Sequence, residues 1–263
     1  MSILDAIIQG VVQGLTEFLP VSSSGHLAIT QHILGAGTGE SNLFFNVMLH
    51  VGTLVAVVAF YHKLVWDLIK EFFLMLKDIF TGKFKWSKMN YNRNLVVMLI
   101  IGLIPLFLLF LPIPGTDMKL KDLADLLSAS PVLIVTACSL ILTSVLLTIG
   151  IIRNRKSVAS THKHLAAKSN AKATRDSFNV VDAILVGVTQ VCAALLPGLS
   201  RSGSTLAVGE MRGISKQKAL DYTFVLGIPS ILAAALLEGV DAIKSPAVSY
   251  THLRAHETRH DLV

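Results

Sequence analysis

The residues best suited to chemistry in this chain cluster twice. The first cluster reads Gln13-Gly14-Leu15-Thr16-Glu17-Phe18-Leu19-Pro20-Val21-Ser22-Ser23-Ser24-Gly25-His26. Gln13 and Glu17 are four apart, so on a helix they share one face. An ionisable Glu inside an apolar segment is costly and is a functional candidate by default. Serines with a Glu before them and a His after them supply an alcohol nucleophile, a carboxylate and a proton shuttle within one short stretch. Ser22 and Ser24 equally suit the capping of a helix that restarts after a break.

The second cluster reads Pro197-Gly198-Leu199-Ser200-Arg201-Ser202-Gly203-Ser204-Thr205. Small residues let backbone N–H groups approach an anion, and a following helix N-terminus points its positive end at it. Arg201 adds a planar, permanently charged fork suited to phosphate oxygens. At membrane depth such a side chain needs an anionic partner. Two are available: Glu17 of the first cluster, as a structural ion pair, and a bound phosphate.

Both clusters end similar apolar segments. Asp5-Ala6-Ile7-Ile8-Gln9-Gly10-Val11-Val12-Gln13 reappears 177 positions later as Asp182-Ala183-Ile184-Leu185-Val186-Gly187-Val188-Thr189-Gln190. In that register Leu19-Pro20 falls on Leu196-Pro197 and Ser23 on Ser200. Pro20 to Gly25 and Pro197 to Gly203 are too broken to span a bilayer. Irregular backbone survives at that depth only when buried in protein or lining a wet cavity. The pattern predicts two re-entrant helical hairpins whose tips meet near the midplane.

The elements between them read as membrane spans. Of the 263 residues, 52% are hydrophobic and 15% charged, against about 25% charged in soluble domains. Leu43–His62, Leu95–Ile113, Pro131–Ile152 and Tyr222–Val240 are each near the ~20 residues that a spanning helix needs. Within Lys63–Asn94, the residues Trp66, Leu68, Ile69, Phe72, Phe73, Leu76, Ile79 and Phe80 have helical spacing. They suit an amphipathic helix in the interface, or an ordinary loop helix against the bundle. Pro114–Ser130 reads as a loop, and Arg153–Ser177 as a mobile basic linker. The net charge of +6 concentrates in the two basic loops. This suits a topology signal and not nucleic-acid binding. Three spans separate the two copies, so the second enters from the opposite side. The expected fold is all-α: a polytopic membrane protein with inverted-topology repeats.

The domain reading is one membrane domain over residues 1–245. It comprises repeat one (1–113), a connecting span and linker (114–177) and a truncated repeat two (178–245). Residues 246–263, with His252, His256 and His260, read as a non-native tail, so the closing membrane segments are expected to be missing. The N-terminal stretch lacks a basic leader and reads as retained structure, not a signal peptide. Cys138 and Cys192 lie in apolar segments and read as packing residues.

The two clusters resemble the signature motifs of the undecaprenyl-diphosphate phosphatase family, also called bacitracin-resistance proteins. The likeness runs from roughly Met1 to Ser245, with both motifs in order. It implies removal of the terminal phosphate of a C55 isoprenoid diphosphate, which regenerates the carrier for cell-wall synthesis. It implies a multi-pass protein of the bacterial cytoplasmic membrane with its site facing outward. The family's first motif carries Glu or Gln four residues before its second Glu, which fall here on Gln13 and Glu17, and its essential Ser and His fall on Ser23 and His26. Its second-motif Ser, Arg and Thr fall on Ser200, Arg201 and Thr205. Activity dependent on Mg²⁺ or Ca²⁺ is implied.

The residues suit that chemistry. Glu17, Ser23, His26 and Arg201 are the catalytic candidates. Ser22, Ser24, Gly25, Ser200, Arg201, Ser202, Gly203 and Thr205 would bind the phosphates. Glu17 and Gln13 would hold the metal; Mg²⁺ needs few protein ligands when substrate phosphates complete its shell. Ser23 attack and direct attack by metal-bound water both remain open. Asn46 and His50 either line the cavity or make helix–helix hydrogen bonds. The partners are a polyprenyl diphosphate and membrane lipids, and a homodimer is compatible. The rival reading is an isoprenoid-phosphate transporter or flippase, because midplane hairpins are also transporter architecture.

Overall fold

The computed structural model describes residues 2–35, 40–86, 89–116, 118–129, 133–165 and 175–244. Among these the protein is all-helical. Its elements are α1 (Ile3–Phe18), α2 (Ser23–Ile33), α3 (Glu40–Phe60), α4 (His62–Phe80), α5 (Tyr91–Leu103), α6 (Leu120–Ala129), α7 (Leu133–Leu165), α8 (Val180–Leu195), α9 (Arg201–Met211) and α10 (Lys216–Lys244). A 3₁₀ helix, Ile104–Phe110, continues α5. Pro105 lies in its first turn and has no N–H to extend the α ladder.

α1 is built inside out relative to a soluble helix. Its buried residues are Gln9 and Gln13, while Leu4, Ile7, Val11 and Leu15 are exposed. α8 likewise buries Asp182 and Gln190 and exposes Val181, Ile184, Leu185 and Val188. An apolar outer face over a polar inner stripe needs a lipid surround. Among the described residues, three unbroken stretches are long and apolar enough to cross a bilayer: Tyr91–Phe110, Leu133–Arg155 and Lys216–Leu237. This is a multi-pass membrane protein.

The expected span at Leu43–His62 is modified. α3 is long and apolar enough to cross a bilayer only together with α4, and the two helices meet at 85°. Tyr61 sits at the corner with non-helical backbone, its ring stacked on Phe224 of α10 at 6.0 Å. α4 combines both expectations for its segment. It packs on α5, where Arg93 pairs with Glu71 (3.1 Å) and Asp78 (2.7 Å), yet leaves Trp66, Phe73 and Phe80 exposed.

Two loop expectations are corrected. Pro114–Ser130 contains α6, started by Asp122, which accepts from the Lys119 N–H at 2.7 Å. α7 runs on to Leu165, well into the expected mobile linker. At the linker's far end Arg175 is tied down: it bridges to Ile214 and pairs with Asp182 at 2.9 Å. The middle of the linker and the tail 246–263 lie outside the described residues.

The two helix pairs have matching local geometry. α1 and α8 both start from a capping box, Ser2 with Asp5 and Asn179 with Asp182. Both α2 and α9 start behind a capping serine, Ser22 or Ser200, and both are followed by a positive-φ glycine, Gly35 or Gly213. The first helices correspond at the offset read from the sequence. The second helices are displaced by one further residue, because the second break is one residue longer. Ser22 therefore corresponds to Ser200, and Ser23 to Arg201. This corrects the sequence register, which set Ser23 on Ser200.

The core lies where α5, α8, α9 and α10 meet. Tyr222 is fully buried, stacks on Phe178 and donates to Met98 O at 2.7 Å. Small residues allow the close approach. A Cβ on Gly187 would lie 2.6 Å from Gly102 O. Around this core α7 packs along α9, and α3 along α10.

Candidate active site

The two breaks touch. A Cβ on Gly203 would lie 2.5 Å from Pro20 O, and one on Gly25 would lie 3.2 Å from the Gly198 Cα. Glycine at these positions therefore lets backbone meet backbone. Gly198 has φ +87°, which its type permits, and Ser22 adopts φ +72° without that freedom. Ser22 is held there by its own cap, in which its Oγ accepts from the Gly25 N–H at 3.2 Å. Ser200 Oγ does the same for the Gly203 N–H at 2.9 Å.

A cavity opens beside this junction, with about 790 Å³ of empty space including its mouth. From the first break Glu17, Ser22, Ser23 and Ser24 line it. From the second come Ser200, Arg201, Ser202 and Thr205. Its remaining wall is largely apolar, with Val57 of α3, Leu199, and Phe224, Leu226 and Ile231 of α10.

Glu17 is the hub of the first half. Its Oε2 accepts from Ser23 Oγ at 2.5 Å and from Gln13 Nε2 at 3.1 Å. Gln13 Oε1 is buried with no hydrogen-bond partner among the described residues. A buried orphan acceptor beside a carboxylate is a donor pair suited to a hard cation. No group of three His, Cys, Asp or Glu residues gathers among the described residues. Any cation here would therefore draw most of its oxygens from elsewhere.

Arg201 is the cation of the second half. Its Nη1 donates to Ser230 Oγ at 3.3 Å. No described carboxylate pairs with it, so the Glu17–Arg201 ion pair does not form among the described residues. Thr205 Oγ1 donates back to Arg201 O at 2.8 Å and meets Thr223 Oγ1 at 3.3 Å. This holds the first turn of α9 against α10.

Several expected residues sit differently. His26 is not on the cavity wall; its Nδ1 donates to Ser22 O at 2.8 Å, one turn back along α2. Gly25 and Gly203 are buried, with their N–H groups already used by the capping serines. Their part is close packing of the breaks. His50 does line the cavity, while Asn46 makes an interhelical hydrogen bond to Gln31. Gln190, the copy of Gln13, also lines the wall and donates to Gly102 O at 3.0 Å. Ser230 and Thr223 carried no signal in the sequence, because each is a lone polar residue in an apolar run.

Known proteins carry the same whole-chain pattern. The family model described as bacitracin resistance protein BacA matches residues 6–258. A protein named undecaprenyl-diphosphatase from Alkaliphilus metalliredigens is 38% identical over 244 residues, which is 93% of this chain and 79% of that protein. One of the same name from Bacteroides fragilis is 36% identical over 250 residues, 95% of this chain and 79% of its own. Another, from Methanobrevibacter smithii, is 36% identical over 241 residues, 90% and 76% respectively. The match takes in both breaks and every helix that walls the cavity, and on it the chain belongs to the bacitracin resistance protein BacA family.

Proposed function

We propose that this chain hydrolyses undecaprenyl diphosphate to undecaprenyl phosphate and phosphate. This activity recycles the lipid carrier of cell-wall synthesis and confers bacitracin resistance. The observation that carries it is one cavity lined by Glu17, Ser23 and Arg201, with the arginine unpaired by any described carboxylate and an apolar wall opposite. A free guanidinium beside an activated alcohol calls for a phosphate, and the apolar wall suits the first isoprene units. The relatives' shared name, undecaprenyl-diphosphatase, agrees with that chemistry.

In this mechanism Ser23 is the nucleophile. Its Oγ–H already points at Glu17 Oε2, and Glu17 takes that proton as Oγ bonds to the terminal phosphorus. The bond from phosphorus to the bridging oxygen breaks, and its electron pair leaves with the lipid monophosphate. Arg201 offsets the charge on the transferring phosphoryl group. Water then displaces phosphate from Ser23, and Glu17 returns its proton to the departing Oγ. Ser22, Ser24, Ser200 and Ser202 surround the phosphates, and Thr205 supports the turn that carries Arg201. Glu17 and Gln13 Oε1 would hold Mg²⁺ or Ca²⁺. Such an ion would polarise a phosphoryl oxygen.

The architecture that goes with this function has two re-entrant hairpins, α1–α2 and α8–α9, as inverted-topology repeats in the bacterial cytoplasmic membrane, with the site reached from the outer face. Supporting it is the equal capping geometry of the two pairs.

The test is phosphate release from farnesyl diphosphate in detergent, with and without EDTA. Hydrolysis that disappears in Ser23→Ala and Arg201→Ala supports the reading. Passage of lipid phosphate across vesicles without hydrolysis would sink it in favour of a transporter.

A further inference from the structure

Glu17, Arg201 and His50 are the ionisable residues on the described cavity wall, and the mechanism above leaves His50 without a task. Its ring is fixed. Nδ1 lies 2.7 Å from Asn46 O, and a carbonyl oxygen only accepts, so Nδ1 carries a proton. Nε2 is the nitrogen left for a ligand.

The turn bearing His50 is itself braced. Gln31 Nε2 of α2 donates to Asn46 Oδ1 at 2.8 Å and to Gln9 Oε1 of α1 at 2.9 Å. Gln9 is fully buried. Three helices are thus pinned together by a polar chain directly behind His50. Such a brace in an apolar surround costs stability unless fully bonded, and here it locates one side chain on a cavity wall.

Position on α3 says which part of the ligand His50 meets. Val57, seven residues on, falls on the same helical stripe and also lines the cavity. Facing it are Phe224, Leu226 and Ile231 of α10. Ser23 and Glu17 come from two other helices, α2 and α1. A lipid diphosphate has two unlike phosphates. The terminal one must meet Ser23. The other is tied to the prenyl chain and must lie toward the apolar wall, where His50 stands.

We propose that His50 is a further substrate-binding residue, whose imidazolium donates a hydrogen bond from Nε2 to the phosphate that stays on the lipid. His50 would thereby hold the leaving group of the reaction. The proposal rests on the diphosphatase reading.

The experiment uses the full chain in detergent and two inhibitors, farnesyl monophosphate and inorganic phosphate. They stand for the two products, and so for the two phosphate positions. In His50→Ala, inhibition by farnesyl monophosphate weakens about tenfold, the loss expected for one charge-assisted contact. Inhibition by inorganic phosphate stays within about twofold of the parent, because that product contacts the other half of the cavity. His50→Gln, which keeps an N–H donor near the same reach, recovers part of the loss and serves if the alanine variant does not elute as a single species. Unchanged inhibition by farnesyl monophosphate in both variants, or equal weakening of both inhibitors, overturns the assignment. Absence of phosphate release by the parent chain would instead remove the diphosphatase reading.

Discussion

Ser23 Oγ and Glu17 Oε2 are 2.5 Å apart, although the residues are six positions apart and a four-residue break, Leu19–Ser22, separates their helices. The carboxylate cannot reach the serine through one continuous helix, since side chains six apart point to different faces. The turn at Leu19–Ser22 folds α2 back, so that its first residue meets the last turn of α1. Replacing Ser23 by Ala should lower phosphate release by at least about 100-fold with little change in KM, as for loss of a nucleophile. Glu17→Gln should fall as far, because the amide cannot take the proton. Initial rates on farnesyl diphosphate decide it, and a loss confined to KM would argue against both roles.

Arg201 faces the cavity without a described carboxylate, so its charge is free for the substrate. A lysine keeps the charge but loses the planar fork. Arg201→Lys should therefore cost about 100-fold in kcat/KM, roughly 3 kcal/mol of transition-state stabilisation. Near-parental turnover would remove Arg201 from phosphoryl transfer.

Gln13 is the one expected metal ligand without a charge. If its orphan Oε1 serves a cation, Gln13→Leu should raise the Mg²⁺ concentration for half-maximal activity by about 10- to 100-fold, while saturating Mg²⁺ restores most of the rate. EDTA should abolish activity in the parent. A Mg²⁺ dependence identical in parent and variant would exclude Gln13 from the site.

The junction of the two breaks can be tested by stability alone. A methyl on Gly203 would stand 2.5 Å from a backbone carbonyl, which cannot swing away. Gly203→Ala should destabilise by roughly 1–3 kcal/mol and lower the melting temperature in detergent. Gly14→Ala is the control, because nothing lies within 4 Å of a Cβ there and alanine favours the helix. Equal melting of the two variants would mean that the breaks do not press on each other.

Much of this was legible in the sequence, for physical reasons that differ by element. The breaks announced themselves through Pro20 and Pro197 in otherwise apolar helices, and the spans through length and hydropathy. Glu17, Ser23 and Arg201 stood out because ionisable or clustered polar residues are rare there. α6 was missed because its aspartates, Asp122 and Asp125, resembled loop composition, although Asp122 was a capping signal. α7 overran its expected end because basic residues form helix readily once a long apolar helix precedes them. His26 looked nearest to the serines along the chain, yet α2 turns it to the Ser22 carbonyl, while His50 arrives from another helix. Proximity across helices is not written in local spacing.

Ser23 and Arg201 occupy the same station, each the first helical residue after a capping serine at a break. One framework thus presents an attacker from one side and a permanent positive charge from the other. The consequence is a division of labour between look-alike halves: exchanging the residue types at these two stations would abolish turnover, since among the described residues only the first station has a carboxylate within reach.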